Sequence, residues 1–115
     1  METIISYQGS WLIVELNGEL DVATIPTSRA MIDQTLKEQQ TMGLVLDLTK
    51  VKFMDSSGLG FILGRYRRLI EEGRPTILVG AQGQVNRVLK MSGLNKIIPQ
   101  YLTVAEALAA TGEVK

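Results

Sequence analysis

Cysteine and histidine are both absent from the 115 residues, and the charges cancel, twelve Lys and Arg standing against twelve Asp and Glu. Without cysteine there is no thiol nucleophile, no disulfide framework and no thiolate zinc site. Without histidine there is no Ser-His-Asp triad and no imidazole general base. A zero net charge sets up no global field that would gather nucleic acid or an anionic membrane surface. Long apolar runs are missing too. No stretch of large apolar residues outlasts Trp11-Leu12-Ile13-Val14, against the roughly 20 residues needed to cross a bilayer. The opening Met1-Glu2-Thr3 lacks the basic segment of a secretory signal. Together with the missing cysteines this predicts a cytoplasmic setting.

What is present describes an ordinary folding domain. Hydrophobic residues make up 45% of the chain and charged ones 21%. A chain of this length buries about two thirds of the surface its unfolded form exposes, enough for a core without covalent staples. Nothing resembles a linker, a repeat or a low-complexity tract, so one domain over 1–115 is expected.

Hydrophobic spacing outlines the elements. Thr3–Tyr7 and Ser10–Asn17 read as strands around a Gln8-Gly9 turn, with Leu12, Val14 and Leu16 sharing a face by period two. Gly18-Glu19-Leu20-Asp21 leads into a helix from about Thr24 to Gln39, with Thr24 as N-cap and Pro26 tolerated in the first turn. Leu44–Leu48 has the nearly continuous apolar character of a strand covered on both faces. A loop, Phe53–Gly58, is expected next, then a helix to about Glu72 whose apolar positions are Leu59, Ile62, Leu63, Tyr66, Leu69 and Ile70. Gly73 stops it, Thr76–Val79 forms another buried strand, and Gln84–Ser92 a third helix burying Val85, Val88 and Leu89. Ile97-Ile98 suggests a short last strand, and Thr103 to Glu106 has capping-box spacing for a C-terminal helix. Short strands alternating with helices imply parallel pairing and right-handed crossovers. The predicted fold is therefore α/β: a mixed, mostly parallel sheet with an N-terminal antiparallel hairpin and about four flanking helices.

In open α/β sheets, sites gather where strands end and helices begin. If one helix joins two parallel neighbouring strands, Asp21 shares a surface with Asp55, Ser56 and Ser57. Ser and Asp before an amphipathic helix are also ordinary N-caps, a sufficient explanation on their own. Gly58, Gly60 and Gly64 ask for more, since each glycine inside a helix costs about 1 kcal/mol against alanine. Either something docks closely on the first two turns or the helix packs tightly on its own sheet, the expected reason for Gly64. The glycines miss the G-x-G-x-x-G spacing by one residue, no Walker lysine follows, and G-x-S-x-G is absent. With only carboxylates, lysines and tyrosines left as bases, an enzyme is not expected. Arg65, Arg67 and Arg68 read as a solvated helix face, Arg67 pairing with Glu71. Glu19 and Asp21 offer too few carboxylates for an oxygen-ligated metal.

Phe53-Met54-Asp55-Ser56-Ser57-Gly58-Leu59-Gly60, continuing through Ile62-Leu63-Gly64-Arg65-Tyr66, resembles the phosphorylation segment of bacterial STAS-domain anti-sigma factor antagonists. Gly18-Glu19-Leu20-Asp21 and Met91-Ser92-Gly93-Leu94 with Lys96-Ile97-Ile98 resemble two further family segments in the same order, so the similarity spans essentially the whole chain. The likeness is nearer to the sporulation type than to the general-stress type, although Val22-Ala23 stand where sporulation-type members often carry histidines.

The resemblance implies a protein-binding switch. The unphosphorylated form would bind an anti-sigma factor that is also a serine kinase, releasing a sigma factor. Phosphorylation on Ser56 would end the binding, and a metal-dependent serine phosphatase would restore it. Asp21, Asp55, Ser57, Gly58, Leu59 and Gly60 match the partner-binding positions. No cofactor, direct nucleic-acid contact or membrane anchor is implied. A structural STAS subunit of a signalling assembly and a small-nucleotide binder are the competing classes.

Overall fold

Leu44, Leu46 and Leu48 are fully buried on one side of their strand and Val45 on the other, the mark of a strand sandwiched between helical layers. A computed structural model describes residues 1–112; the rest of the expected domain, residues 113–115, lies outside the described residues. The elements are β1 (Glu2–Gln8), β2 (Trp11–Leu20), α1 (Ile25–Glu38), β3 (Gly43–Met54), α2 (Ser56–Ile70), β4 (Thr76–Val79), α3 (Gly83–Ser92), β5 (Gln100–Tyr101) and α4 (Val104–Ala110). They build one five-stranded sheet in the order β1-β2-β3-β4-β5. The β1-β2 pair is antiparallel and the other three pairs are parallel.

Sequential strand order has a direct consequence. Right-handed crossovers that always advance in one direction place every connecting helix on the same face. Accordingly α1, α2 and α3 cover one side, where Ile32, Ile62, Leu69 and Leu89 meet Leu12, Leu16, Leu44 and Leu46. Among the described residues only α4 covers the other side, setting Ala107 and Leu108 against Trp11, Ile13, Val45, Ile77 and Val79. Among the described residues no helix is long and apolar enough to cross a membrane.

Several local expectations are corrected. β3 does not stop near Leu48 but continues to Met54, so Phe53 and Met54 belong to the strand rather than to a loop. Its register against β2 slips twice, between Glu15 and Asn17 and between Gly18 and Glu19, each slip adding a residue on β3. Such bulges break period-two alternation, which hides the extension from a pattern search. Asp55 is the N-cap of α2, and Ser56 is already its first helical residue. Phe61 faces the core while Ile70, expected inside, is exposed. Val88 is half-buried rather than fully enclosed.

Ile97-Ile98 is not a strand. The N–H groups of both residues donate to the Leu94 carbonyl, at 3.0 and 2.9 Å, so the chain is still coiled there. Ile98 plugs the core as a buried residue, and the last strand starts only after Pro99. Gly93, at φ +83, is the left-handed residue that ends α3. The Met91–Leu94 segment of the family resemblance is thus a helix stop. Thr103 does cap α4, its hydroxyl accepting from the Glu106 N–H at 3.1 Å.

The basic cluster on α2 is also wired differently. Arg65 Nε and Arg68 Nη1 reach Asp33 of α1 at 3.1 and 3.4 Å, so these arginines tie two helices together. The Arg65 guanidinium lies 5.3 Å from the Phe61 ring centroid. Burial lowers the Arg65 pKa from its ordinary value; Asp33 opposes that shift, while Arg29 and Arg68 add to it. Arg67 is exposed and takes no part in the Asp33 pairing.

Candidate functional site

β2 and β3 run parallel side by side and end together, Leu20 opposite Met54. The next residues, Asp21 and Asp55, therefore emerge at the same edge of the sheet. A bond from the Asp55 N–H to the Leu20 carbonyl, 3.4 Å, closes the gap between the two chain ends. The juxtaposition expected from topology is what the structure contains: Asp21 shares one surface with Asp55, Ser56 and Ser57.

Each aspartate has a structural task. Asp55 Oδ1 accepts from the Ser57 and Gly58 N–H groups, at 2.8 and 3.2 Å. Two of the four donors that an α-helix leaves open at its start are thereby satisfied. Asp21 Oδ1 does the same for the turn into α1, accepting from the Ala23 and Thr24 N–H groups at 3.0 and 3.1 Å. Thr24 holds the N-cap position but makes no side-chain cap bond. Its hydroxyl is occupied by the Glu19 carbonyl at 2.7 Å. Asp21, not Thr24, supplies the side-chain acceptor at that helix start.

Because Asp55 does the capping, Ser56 is free of it. Ser56 is exposed at the first helical position, whereas Ser57 is half-buried. The glycines separate as well. A Cβ on Gly58 would collide with Met54 Cγ and stand 3.0 Å from the Leu20 carbonyl oxygen, so this glycine lets α2 start directly on the ends of both strands. Cβ atoms on Gly60 or Gly64 would meet nothing within 4 Å. The expectation that Gly64 packs tightly inside the domain is thus wrong. Gly60 lies exposed one turn beyond Ser56, with half-buried Leu59 beside it. Val22, 72% exposed, and Phe53, 41% exposed, supply apolar surface at the same end of the sheet.

Asp55→Asn separates capping from charge. Asparagine is as good an N-cap as aspartate, so stability should change by less than about 0.5 kcal/mol. Denaturant titration of the two proteins checks this, and any change in partner affinity can then be assigned to the lost charge.

Sequence reasoning missed Gln84. Its amide spans the space between α3 and the end of β3, Nε2 donating to the Met54 carbonyl and Oε1 accepting from the Met54 N–H, both at 2.9 Å. No local pattern marks a contact across thirty residues. A groove of about 600 Å³ beside it is lined by Asn17, Thr49, Lys50, Lys52 and Gln82 among others, and does not include Ser56. Among the described residues no group of three or more acidic, His or Cys side chains could hold a metal ion.

Comparison with known proteins agrees with this geometry. The STAS domain family matches residues 4–107. An anti-sigma F factor antagonist from Paenibacillus polymyxa is 43% identical over 97 residues, covering 84% of this chain and 83% of its own length. The anti-sigma factor antagonist SpoIIAA in its unphosphorylated form superposes with a TM-score of 0.84 at 27% identity, covering 99% of both chains. The phosphorylated form of SpoIIAA, from Bacillus, gives 0.75 at 27% identity, over 96% of this chain and 99% of that one. A single sheet with three crossover helices on one face, an exposed serine at the start of α2, and relatives matched over nearly their whole length lead to one assignment: this chain is a STAS-domain protein of the anti-sigma factor antagonist family.

Proposed function

We propose that the unphosphorylated chain binds a serine-kinase anti-sigma factor and so releases a sigma factor, and that the kinase ends this binding by phosphorylating Ser56. A metal-dependent serine phosphatase reverses the modification, and the cycle runs in the cytoplasm. The observation that carries the reading is the division of labour at the start of α2: Asp55 takes the helix amides while Ser56 keeps its hydroxyl at the surface. Asp21, Asp55, Ser57, Leu59 and Gly60 form the docking surface around it. Gly58, being buried, serves that surface from beneath by seating the helix. SpoIIAA, which this chain matches along its length, exists in both an unphosphorylated and a phosphorylated form.

The test is intact-protein mass measurement after incubation with ATP and the kinase-type anti-sigma factor of the same organism. Wild type should gain one phosphate and Ser56→Ala none, while both bind the partner. A phosphate on Ser56→Ala would move the site to Ser57. Binding without any phosphate on the wild type would favour a scaffold role.

A further inference from the structure

β4 ends at Val79, opposite Asp47, whereas β3 runs on to Met54. Along that extension β2 still pairs with one edge of β3, but among the described residues no strand lies beside the other edge. Buried backbone donors and acceptors need partners, and an unpaired one costs about as much as a lost hydrogen bond. Here Gln82, just before α3, and Gln84, in its first turn, stand in for the missing strand. Gln82 Nε2 donates to the Thr49 carbonyl at 3.1 Å. Gln84 engages the N–H and the carbonyl of Met54 together, both at 2.9 Å. A primary amide presents a donor and an acceptor side by side, as a peptide group of a neighbouring strand would.

Met54 is completely buried and immediately precedes Asp55 and Ser56. On the β2 side, Met54 pairs with Leu20 in the parallel register, and the Asp55 N–H reaches the Leu20 carbonyl at 3.4 Å. The paired Gln84 bonds, both 2.9 Å, hold the opposite edge of the strand, where no β-strand does. The body of α2 is anchored separately, by Phe61, Ile62 and Leu69 in the core. Loss of the Gln84 bonds would therefore loosen the strand end and the first helical residue while leaving Leu59 and Gly60 on an anchored helix.

Resting on the reading of Ser56 as the phosphate acceptor, we propose that Gln84 is a positioning residue, whose amide fixes the end of β3 and thereby aligns the Ser56 hydroxyl for phosphoryl transfer. Transfer is sensitive to such alignment, since a misplacement of about 1 Å can cost up to a hundredfold in rate.

The experiment measures initial rates of phosphorylation of the full chain by the kinase with ATP, over a range of chain concentrations. Wild type, Gln84→Met and Gln84→Glu are compared at a temperature where each is folded by circular dichroism. Gln84→Met keeps the bulk and loses both bonds. Gln84→Glu keeps the acceptor for the Met54 N–H and loses the donor to its carbonyl, and it serves alone if Gln84→Met does not fold. Turnover should fall about tenfold or more in Gln84→Met with KM within about twofold, Gln84→Glu lying between that variant and wild type. Amide exchange at Met54 should accelerate in the same order. Unchanged turnover despite faster Met54 exchange would overturn the positioning role and leave the Ser56 reading intact. A rise in KM at unchanged turnover would overturn it as well, by showing damage to docking instead. No transfer to wild type would overturn the Ser56 reading itself, and this role with it.

Discussion

Phosphorylated on Ser56, the protein should bind its anti-sigma partner at least about a hundredfold more weakly than the unmodified form, a difference of about 3 kcal/mol. Phosphate adds about −1.5 to −2 charges at neutral pH. At many helix starts an added phosphate would be drawn onto the open backbone amides. Here the Ser57 and Gly58 amides are already bonded to Asp55, so the phosphate is left facing outward next to that carboxylate. Asp21 adds a second negative charge on the same surface.

A partner surface fitted to a neutral hydroxyl would then meet like charge and have to desolvate the phosphate, and such juxtapositions cost several kcal/mol. Titration calorimetry of the phosphorylated and unmodified chains measures the difference directly. Ser56→Ala should bind like the unmodified form, and Ser56→Asp, with one charge, should be weakened less than the phosphorylated chain. Because the effect is electrostatic at an exposed position, added salt should narrow the gap, the screening length being about 10 Å at 0.1 M. The melting curve should barely change. A large change in melting would point to refolding of the α2 start, and equal affinities would remove the switch.

Gly58→Ala should destabilise the domain by about 1–3 kcal/mol, the usual penalty of forcing an extra methyl into a packed site. For a domain of this size that lowers the melting point by about 5–15 °C. The added Cβ meets Met54 Cγ, which can move at some expense, and the Leu20 carbonyl oxygen, which belongs to the backbone of β2. Gly60→Ala should do the reverse. Its Cβ meets nothing within 4 Å, so the gain in helix propensity, up to about 1 kcal/mol, should appear as a higher melting point. A tryptophan at Gly60 should leave a cooperative melt and abolish partner binding, because the exposed surface beside Ser56 would be obstructed. Gly64→Ala, equally unobstructed but more than a turn farther from Ser56, is the control that should stabilise and still bind. Loss of the cooperative melt in the Gly60 variants would instead reveal internal packing that the structure does not contain.

The contrast among these three glycines shows where reading the chain reaches its limit. Their cost in a helix is a property of the residues, so the sequence alone raised the question of what offsets it at each position. Which glycine faces a strand end and which faces open space depends on how α2 lies across β2 and β3. Only the fold decides that.

The same division runs through the rest of the molecule. Composition alone excluded thiol and imidazole chemistry, and period-two and period-3.6 spacing outlined the strands and helices of an α/β sheet with an antiparallel hairpin. Those signals are local, carried by neighbours along the chain, and so survive in the bare sequence. The pairing of Asp21 with Asp55 on one surface was legible too, since it follows from two strands being parallel neighbours. The extension of β3 to Met54 was not, because two bulges shift alternate side chains off period. Nor was the coil at Ile97-Ile98, where one isoleucine is needed in the core and the next strand must wait for it. Tertiary packing also decided that Arg65 and Arg68 serve Asp33 and that Gln84 holds Met54 in place of a strand. Each of these depends on groups far apart in sequence meeting at a hydrogen-bond or van der Waals distance. Distances of that kind exist only once the chain has folded.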